Sequence, residues 1–161
     1  HVHHAHLYVA TGMVGGAGFN IDDGVAAGHF FERYGGTFIN AQRFTSALMS
    51  AGLPGVRFEP VTYQTYKGRY RGKDLHGAHV VITDAAAFRP LRTALTAITT
   101  LRKLYRRDFR MRRKGTFGRV WGTFDVWRRV KRGQSPRRIE ASWRKQLRRF
   151  NKSRKRHLLY Q

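Results

Sequence analysis

Apolar residues across the middle of this chain recur with the periods of two kinds of element. Val80-Val81-Ile82-Thr83 is a β-branched run of the sort that forms a buried strand, and Asp84 closes it with a residue that favours turns and helix caps. Pro90 suits the first turn of a helix, where the N–H it lacks would be unpaired anyway. Leu91, Leu95, Ile98, Leu101 and Tyr105 then follow at three- and four-residue spacing. The pattern predicts strand, turn and helix in succession, the helix over 90–105 with one face buried.

The flanking segments read in the same way. Asn40 is an N-cap for a helix over 41–51, with Phe44, Ala47, Leu48 and Ala51 on one face and Gly52 as its stop. Residues 53–66 alternate Val56, Phe58, Val61 and Tyr63 around Pro60, which predicts a bent or edge strand. Ser135 and Pro136 open a helix over 136–150 whose Ile139, Trp143, Leu147 and Phe150 form an inward stripe. Near the start, Leu7–Val9 reads as a strand, Gly12–Gly18 as a flexible loop and Asn20–Gly24 as a turn. These elements predict a single α+β domain over 1–161: a small mixed β-sheet packed against about three helices, 41–51, 90–105 and 136–150, with a highly basic C-terminal helical region. At 161 residues and 41% apolar content the chain can bury a core.

Candidate chemistry is sparse. Four histidines, His1, His3, His4 and His6, could bind a transition metal, but no acid or cysteine stands beside them, so no metal or other cofactor is expected. The glycine-rich stretch lacks the Lys-Ser/Thr of a P-loop. Asp22-Asp23 is an acidic pair that turn chemistry explains, and His76 and His79 have no nucleophile on a sharp turn to serve, so both read as structural or surface residues. Lys67–Lys73 is a basic loop that either contacts phosphates and stacks a base through Tyr70 or is an exposed connection. The absence of cysteine removes disulfide and thiolate chemistry, and no apolar run is long enough for a transmembrane helix. The chain begins at His1 without a leader pattern, which leaves its compartment open.

Gly72, Leu75-x-Gly77, Val81-x-Thr83-Asp84, Phe88-x-Pro90 and Ala94-Leu95 form a longer pattern. Leu53-Pro54-Gly55-Val56-x-Phe58-x-Pro60 precedes it, and Phe124-Asp125, Ile139-x-x-Ser142-Trp143 and Leu158-Leu159-Tyr160 follow it. In order and rough spacing this resembles the C-terminal region of the exo-β-N-acetylmuramidase family, well over residues 40–161 and poorly over 1–39. The resemblance implies a small accessory domain, the catalytic carboxylates of the family being carried by a larger Rossmann-like N-terminal domain. It also makes Phe109, Phe124 and Trp127 core residues. The family's Gly-Arg-Gly-Thr stretch falls at Gly16-Ala17-Gly18-Phe19, without the arginine and the hydroxyl, and its usual cysteine is Leu75.

Charge changes the functional reading. Of 32 Lys and Arg, 23 lie in residues 102–161 against three acids, a net +20, while residues 1–101 carry +3. A single-sign field of this size implies an anionic partner. The phosphates of RNA would supply one, through Arg106, Arg107, Arg112, Arg113 and Lys114 in the connecting stretch. Arg137, Arg138, Arg144, Lys145, Arg148, Arg149 and Lys152 on the last helix, with Arg154, Lys155 and Arg156 in the tail, would add to them. The expectation is therefore a non-catalytic RNA-binding protein of a large ribonucleoprotein, an organellar (mitochondrial) ribosome, contacting ribosomal RNA and neighbouring proteins. The alternative is the accessory domain of an exo-β-N-acetylmuramidase acting on peptidoglycan, periplasmic or secreted, with an anionic cell-wall polymer as partner.

Overall fold

Leu7, Ala10 and Val14 fall at three- and four-residue spacing and are fully buried. The computed structural model, which describes residues 2–111 and 114–158, accordingly shows helix at the N-terminus rather than the strand predicted over Leu7–Val9. Helix α1 (Val2–Leu7) runs through a π-turn, Tyr8–Gly12, into a short α2 (Met13–Gly15). The glycine-rich stretch is thus partly helical, contrary to the flexible loop expected. Gly12 lets the rings of Tyr8 and Phe31 approach to 3.1–3.3 Å of where a Cβ would stand.

Strands β1 (Arg33–Gly36), β2 (Val56–Gln64) and β3 (Asp74–Ile82) form a sheet in the order β1-β3-β2. Both pairings are antiparallel, with Tyr34 opposite Ala78 and Pro60 opposite Ala78 on the other side. Pro60 therefore lies on an edge strand, where its missing N–H breaks no ladder on the outer side. The α+β class holds.

Helix α3 (Ala41–Met49) starts as its cap predicts, the Asn40 side chain accepting from the Arg43 N–H at 2.9 Å, and buries Phe44 and Leu48. Helix α4 (Pro90–Leu104) buries Ala94, Leu95, Ala97, Ile98 and Leu101 and packs against the N-terminal helical segment, α3 and the later helix Pro136–Ala141. Helices α5 (Lys114–Trp121) and α6 (Asp125–Lys131) close an aromatic cluster. In it the Phe19 ring lies 5.2 Å from Phe109, 5.8 Å from Phe117 and 6.3 Å from Trp127. Phe109 and Trp127 are core, as the family resemblance implies. Phe124 is not: it is 40% exposed, with its ring lying over Gly118.

The last predicted helix is two helices, α7 (Pro136–Ala141) and α8 (Arg144–Arg154). The Ser142 hydroxyl donates to the Ile139 carbonyl at 2.6 Å and the Trp143 N–H bonds back three residues to Glu140, so the chain tightens and turns between them. Ile139 is buried and Trp143 half-buried, but Leu147 and Phe150 are 56% and 60% exposed. The expected inward stripe ends at the break. Among the described residues no helix is long and apolar enough to cross a membrane.

Candidate functional site

The turn at Asn20–Gly24 forms as predicted, with Asp22 Oδ1 accepting from the Gly24 N–H at 2.8 Å and Asp23 Oδ1 from the Val25 N–H at 3.3 Å. Tertiary structure then adds to it. Asp22 and Gly35 exchange two backbone hydrogen bonds, at 2.8 and 2.9 Å, which fasten the turn to β1. From β2, the opposite edge of the sheet, the Tyr63 hydroxyl donates to Asp22 Oδ1 at 2.8 Å. It crosses β1 at Gly35, where a Cβ would stand 2.1 Å from its oxygen. The Arg33 guanidinium stacks 4.5 Å from the Tyr63 ring centre. Burial, and then the neighbouring Asp22 carboxylate, push the Tyr63 hydroxyl far above its ordinary range, so it stays a donor.

Beside this turn lies a hollow of about 320 Å³ lined by Gly15, Gly16 and Gly18, by Asp22 and Asp23, and by Arg69 and Thr116. Gly15 is required there, since a Cβ would come within 2.7 Å of Asp23 Oδ2. Burial, aided by Asp22, holds the Asp23 carboxyl above the usual carboxylate range. Asp22 Oδ1 is engaged by a backbone N–H and a tyrosine hydroxyl, and Asp23 Oδ1 by the Val25 N–H.

Arg69 comes from the basic loop between β2 and β3. Its guanidinium donates to the carbonyls of Phe19 at 2.6 Å and Ile21 at 3.3 Å and stacks 4.6 Å from the Tyr70 ring, while the Tyr70 hydroxyl donates to the Asn20 carbonyl at 2.9 Å. Both residues clamp the loop to the Asn20 turn rather than offering a phosphate contact and a stacking face. Arg69 from that loop and Thr116 from α5 line the hollow beside Gly16 and Gly18. Separations of roughly fifty and a hundred residues along the chain leave no sequence signal for this.

A second polar cluster surrounds Glu32. His4 Nε2 lies 3.2 Å, His29 Nδ1 3.5 Å and His79 Nε2 3.9 Å from its oxygens, and His79 Nδ1 is 3.4 Å from Glu59. Partial burial pulls the Glu32 carboxyl up, but hydrogen bonds from His4 and His29 and the charge of His79 outweigh it and set the group low. His76 pairs with Thr62 at 2.9 Å. The structural reading of His76 and His79 fits these contacts. Among the described residues no group of three or more His, Cys, Asp or Glu is placed to hold a metal ion. Of the N-terminal histidines, His1 lies outside the described residues.

The cations proposed from sequence as a nucleic-acid surface are spread over several elements. Arg106 and Arg107 are exposed on the turn after α4, and Arg137 and Arg138 are exposed on α7. Arg144, Lys145, Arg148, Arg149, Lys152 and Arg154 are exposed along α8, and Lys155 and Arg156 on the turn that ends it. Lys114 opens α5, and Arg112 and Arg113 lie outside the described residues. Arg106 and Arg137 line neighbouring hollows beside α4, and Arg144 lines a third with Trp143 and Leu147.

Comparison with known proteins decides between the two readings. The family model described as "Exo-beta-N-acetylmuramidase NamZ, C-terminal" matches residues 6–160. The chain is 32% identical over 154 residues to the peptidoglycan beta-N-acetylmuramidase NamZ of Bacillus subtilis (strain 168), covering 96% of this chain and 37% of that protein. It superposes on the crystal structure of a DUF1343 family protein from Bacteroides fragilis with a TM-score of 0.89 at 21% identity, covering 100% of this chain and 43% of that one, a likeness of fold. The chain thus spans less than half the length of either relative. These matches overturn the expectation of an RNA-binding ribosomal protein with ribosomal RNA as partner. Exposed cations report only the sign of a partner's charge, whereas the family match runs along residues 6–160. The chain belongs to the exo-β-N-acetylmuramidase NamZ family, to its C-terminal domain.

Proposed function

We propose that this chain is the accessory domain of an exo-β-N-acetylmuramidase that acts on peptidoglycan, and that its own part in the reaction is to hold sugar rather than to cleave it. The family match along residues 6–160 carries this reading. The glycine-lined hollow supports it. Asp23, Arg69 and Thr116 line it and supply an acceptor, a cation and a hydroxyl beside Gly15, Gly16 and Gly18, with Phe19 and Ile21 completing the lining, a set suited to a hydroxyl-rich ring. Cleavage of a glycosidic bond requires a matched acid and base or nucleophile flanking it. Asp22, bonded to Tyr63 and the Gly24 N–H, does not fill the second role, so the hydrolytic carboxylates are assigned to another part of the enzyme.

The test is calorimetric titration of the chain with uncharged, N-acetylmuramic acid-terminated glycan fragments whose carboxyls are amidated. Binding that falls at least ten-fold in Asp23→Asn, with the fold intact, supports the reading. Binding unchanged by Asp23→Asn moves the sugar away from this hollow, and no binding at all removes the sugar-holding role.

A further inference from the structure

One flank of α4 carries Arg92, Thr96, Thr99, Lys103 and, just beyond the helix end, Arg106, running from buried Thr96 and half-buried Arg92 and Thr99 to exposed Lys103 and Arg106. These positions recur at three and four residues and so form one row. Two hollows run beside that row. The larger, about 740 Å³, lies between the C-terminal half of α4 and the corner joining α6 to α7. The smaller, about 290 Å³, lies between the N-terminal half of α4 and the Ala51–Pro54 loop. They share Thr99, Thr100, Ser135 and Pro136, so they form a single trough along the helix. From Arg92 to Lys103 it follows roughly 16 Å of helix at about 1.5 Å per residue.

The walls of this trough are of one sign. No Asp or Glu lines either hollow. Lys103 and Arg106 rise from the α4 side, Lys131 and Arg132 from the α6–α7 corner, and Arg137 from the start of α7. Two further arginines are tied in place: Arg102 donates to the Lys131 carbonyl at 2.8 Å, and Arg92 donates through Nε to Glu140 at 2.8 Å. The side chains of Lys103, Arg106, Arg132 and Arg137 make no hydrogen bond or ion pair among the described residues. Between the cations lie the polar Thr99, Thr100, Gln134 and Ser135 together with Val130, Gly133 and Pro136. An elongated trough with cations on both walls and no acid among its lining residues suits a chain of regularly spaced anions better than a single compact one. The guanidinium groups among its lining residues suit phosphate oxygens, which accept two parallel N–H bonds.

We propose that this trough binds a linear anionic polymer joined by phosphodiester links, of the poly(glycerol phosphate) type. The choice of a wall polymer rests on the function proposed above. The trough is separate from the glycine-lined hollow, sharing no lining residue with it, so glycan and polymer occupy different faces of the chain.

The test is titration of the full 161-residue chain with poly(glycerol phosphate) across a salt series, beside the amidated glycan fragments. The variants are Lys103→Glu/Arg106→Glu/Arg132→Glu in the trough and Lys145→Glu/Arg149→Glu/Lys152→Glu on α8. The trough variant is expected to weaken polymer binding at least ten-fold. It should also lower the log–log salt slope by about 2, each lost contact being worth roughly 0.7 for a flexible single strand. The α8 variant should change affinity no more than two-fold, and glycan binding should survive in both. If the glutamate variant does not fold, the corresponding triple glutamine variant serves. Polymer binding that the trough variant retains and the α8 variant loses overturns the proposal. So does glycan binding without polymer binding, which leaves the muramidase reading standing. Polymer binding through the trough without glycan binding supports the trough and overturns the sugar-holding role instead.

Discussion

The Tyr63 hydroxyl donates to the Asp22 carboxylate at 2.8 Å from the far edge of the sheet, and it does so over Gly35, which leaves no room for a Cβ. Three elements distant in sequence, the Asn20 turn, β1 and β2, are joined at this one contact. The wall of the glycine-lined hollow depends on it.

Gly35→Ala is therefore expected to destabilise the protein by about 1–3 kcal/mol, the usual cost of overpacking a filled site. The added methyl collides first with the Tyr63 oxygen. The same substitution in a Tyr63→Phe background should cost at least about 0.5 kcal/mol less, a coupling typical of residues in contact. Denaturant unfolding of the four proteins of the cycle measures this. Equal cost in both backgrounds would show that the hydroxyl is not what Gly35 accommodates.

Asp23 sets an opposite pH dependence from most carboxylates. Its folded-state pKa is raised by burial, so the ionised form is disfavoured in the fold relative to the unfolded chain. Above the folded pKa both states are ionised and the fold bears the penalty. As pH falls the folded state takes up the proton first, and the penalty is gone below the unfolded value of about 3.9. Asp23→Asn should thus stabilise the protein at pH 7, with the gain shrinking as pH falls through the folded pKa and absent by about pH 3. A gain that persists in acid would point to packing rather than charge.

The two halves of the expected C-terminal helix should respond differently to truncation. Ile139 is fully buried, and Ile139→Ala should cost about 2–5 kcal/mol. Leu147→Ala and Phe150→Ala, on the exposed α8, should stay within about 0.5 kcal/mol. Thermal unfolding separates these outcomes, and a cost above 2 kcal/mol at Phe150 would mean that α8 packs against the core.

Salt should stabilise this protein. Helix α8 carries Arg144 with Arg148, Lys145 with Arg149 and Arg148 with Lys152 at i,i+4 and has no acid between 144 and 154. Each such pair costs about 0.2–0.5 kcal/mol, near 1 kcal/mol together. Raising ionic strength from about 0.01 to 0.15 M shortens the screening length from about 30 to 8 Å. Tm should rise by about 2–4 °C, the shift that roughly 1 kcal/mol produces in a chain of this size. A fall in Tm would show that attractive pairs such as Arg92 with Glu140 outweigh the repulsion.

Elements with local punctuation were legible from the residues alone. Asn40 capping α3, Pro90 opening α4 and the turn residues of Asn20–Gly24 act through hydrogen bonds to neighbours within a few positions, so the sequence determines them before any folding context. The same holds for the edge position of Pro60 and for the excess of positive charge, though a charge count gives the sign of a partner and not its kind, which is why the RNA reading failed. Tertiary structure decided the rest. Ala10 and Val14 are buried where α4 offers their helical segment a face, and the stripe from Ile139 to Phe150 stops where the core does. Arg69 reaches the carbonyls of Phe19 and Ile21, and Tyr63 reaches Asp22, across separations that periodicity cannot see. Periodicity records that a face is apolar; which surface covers it, and which distant polar group meets a given side chain, is settled by packing, because only the folded backbone brings those atoms within hydrogen-bonding distance.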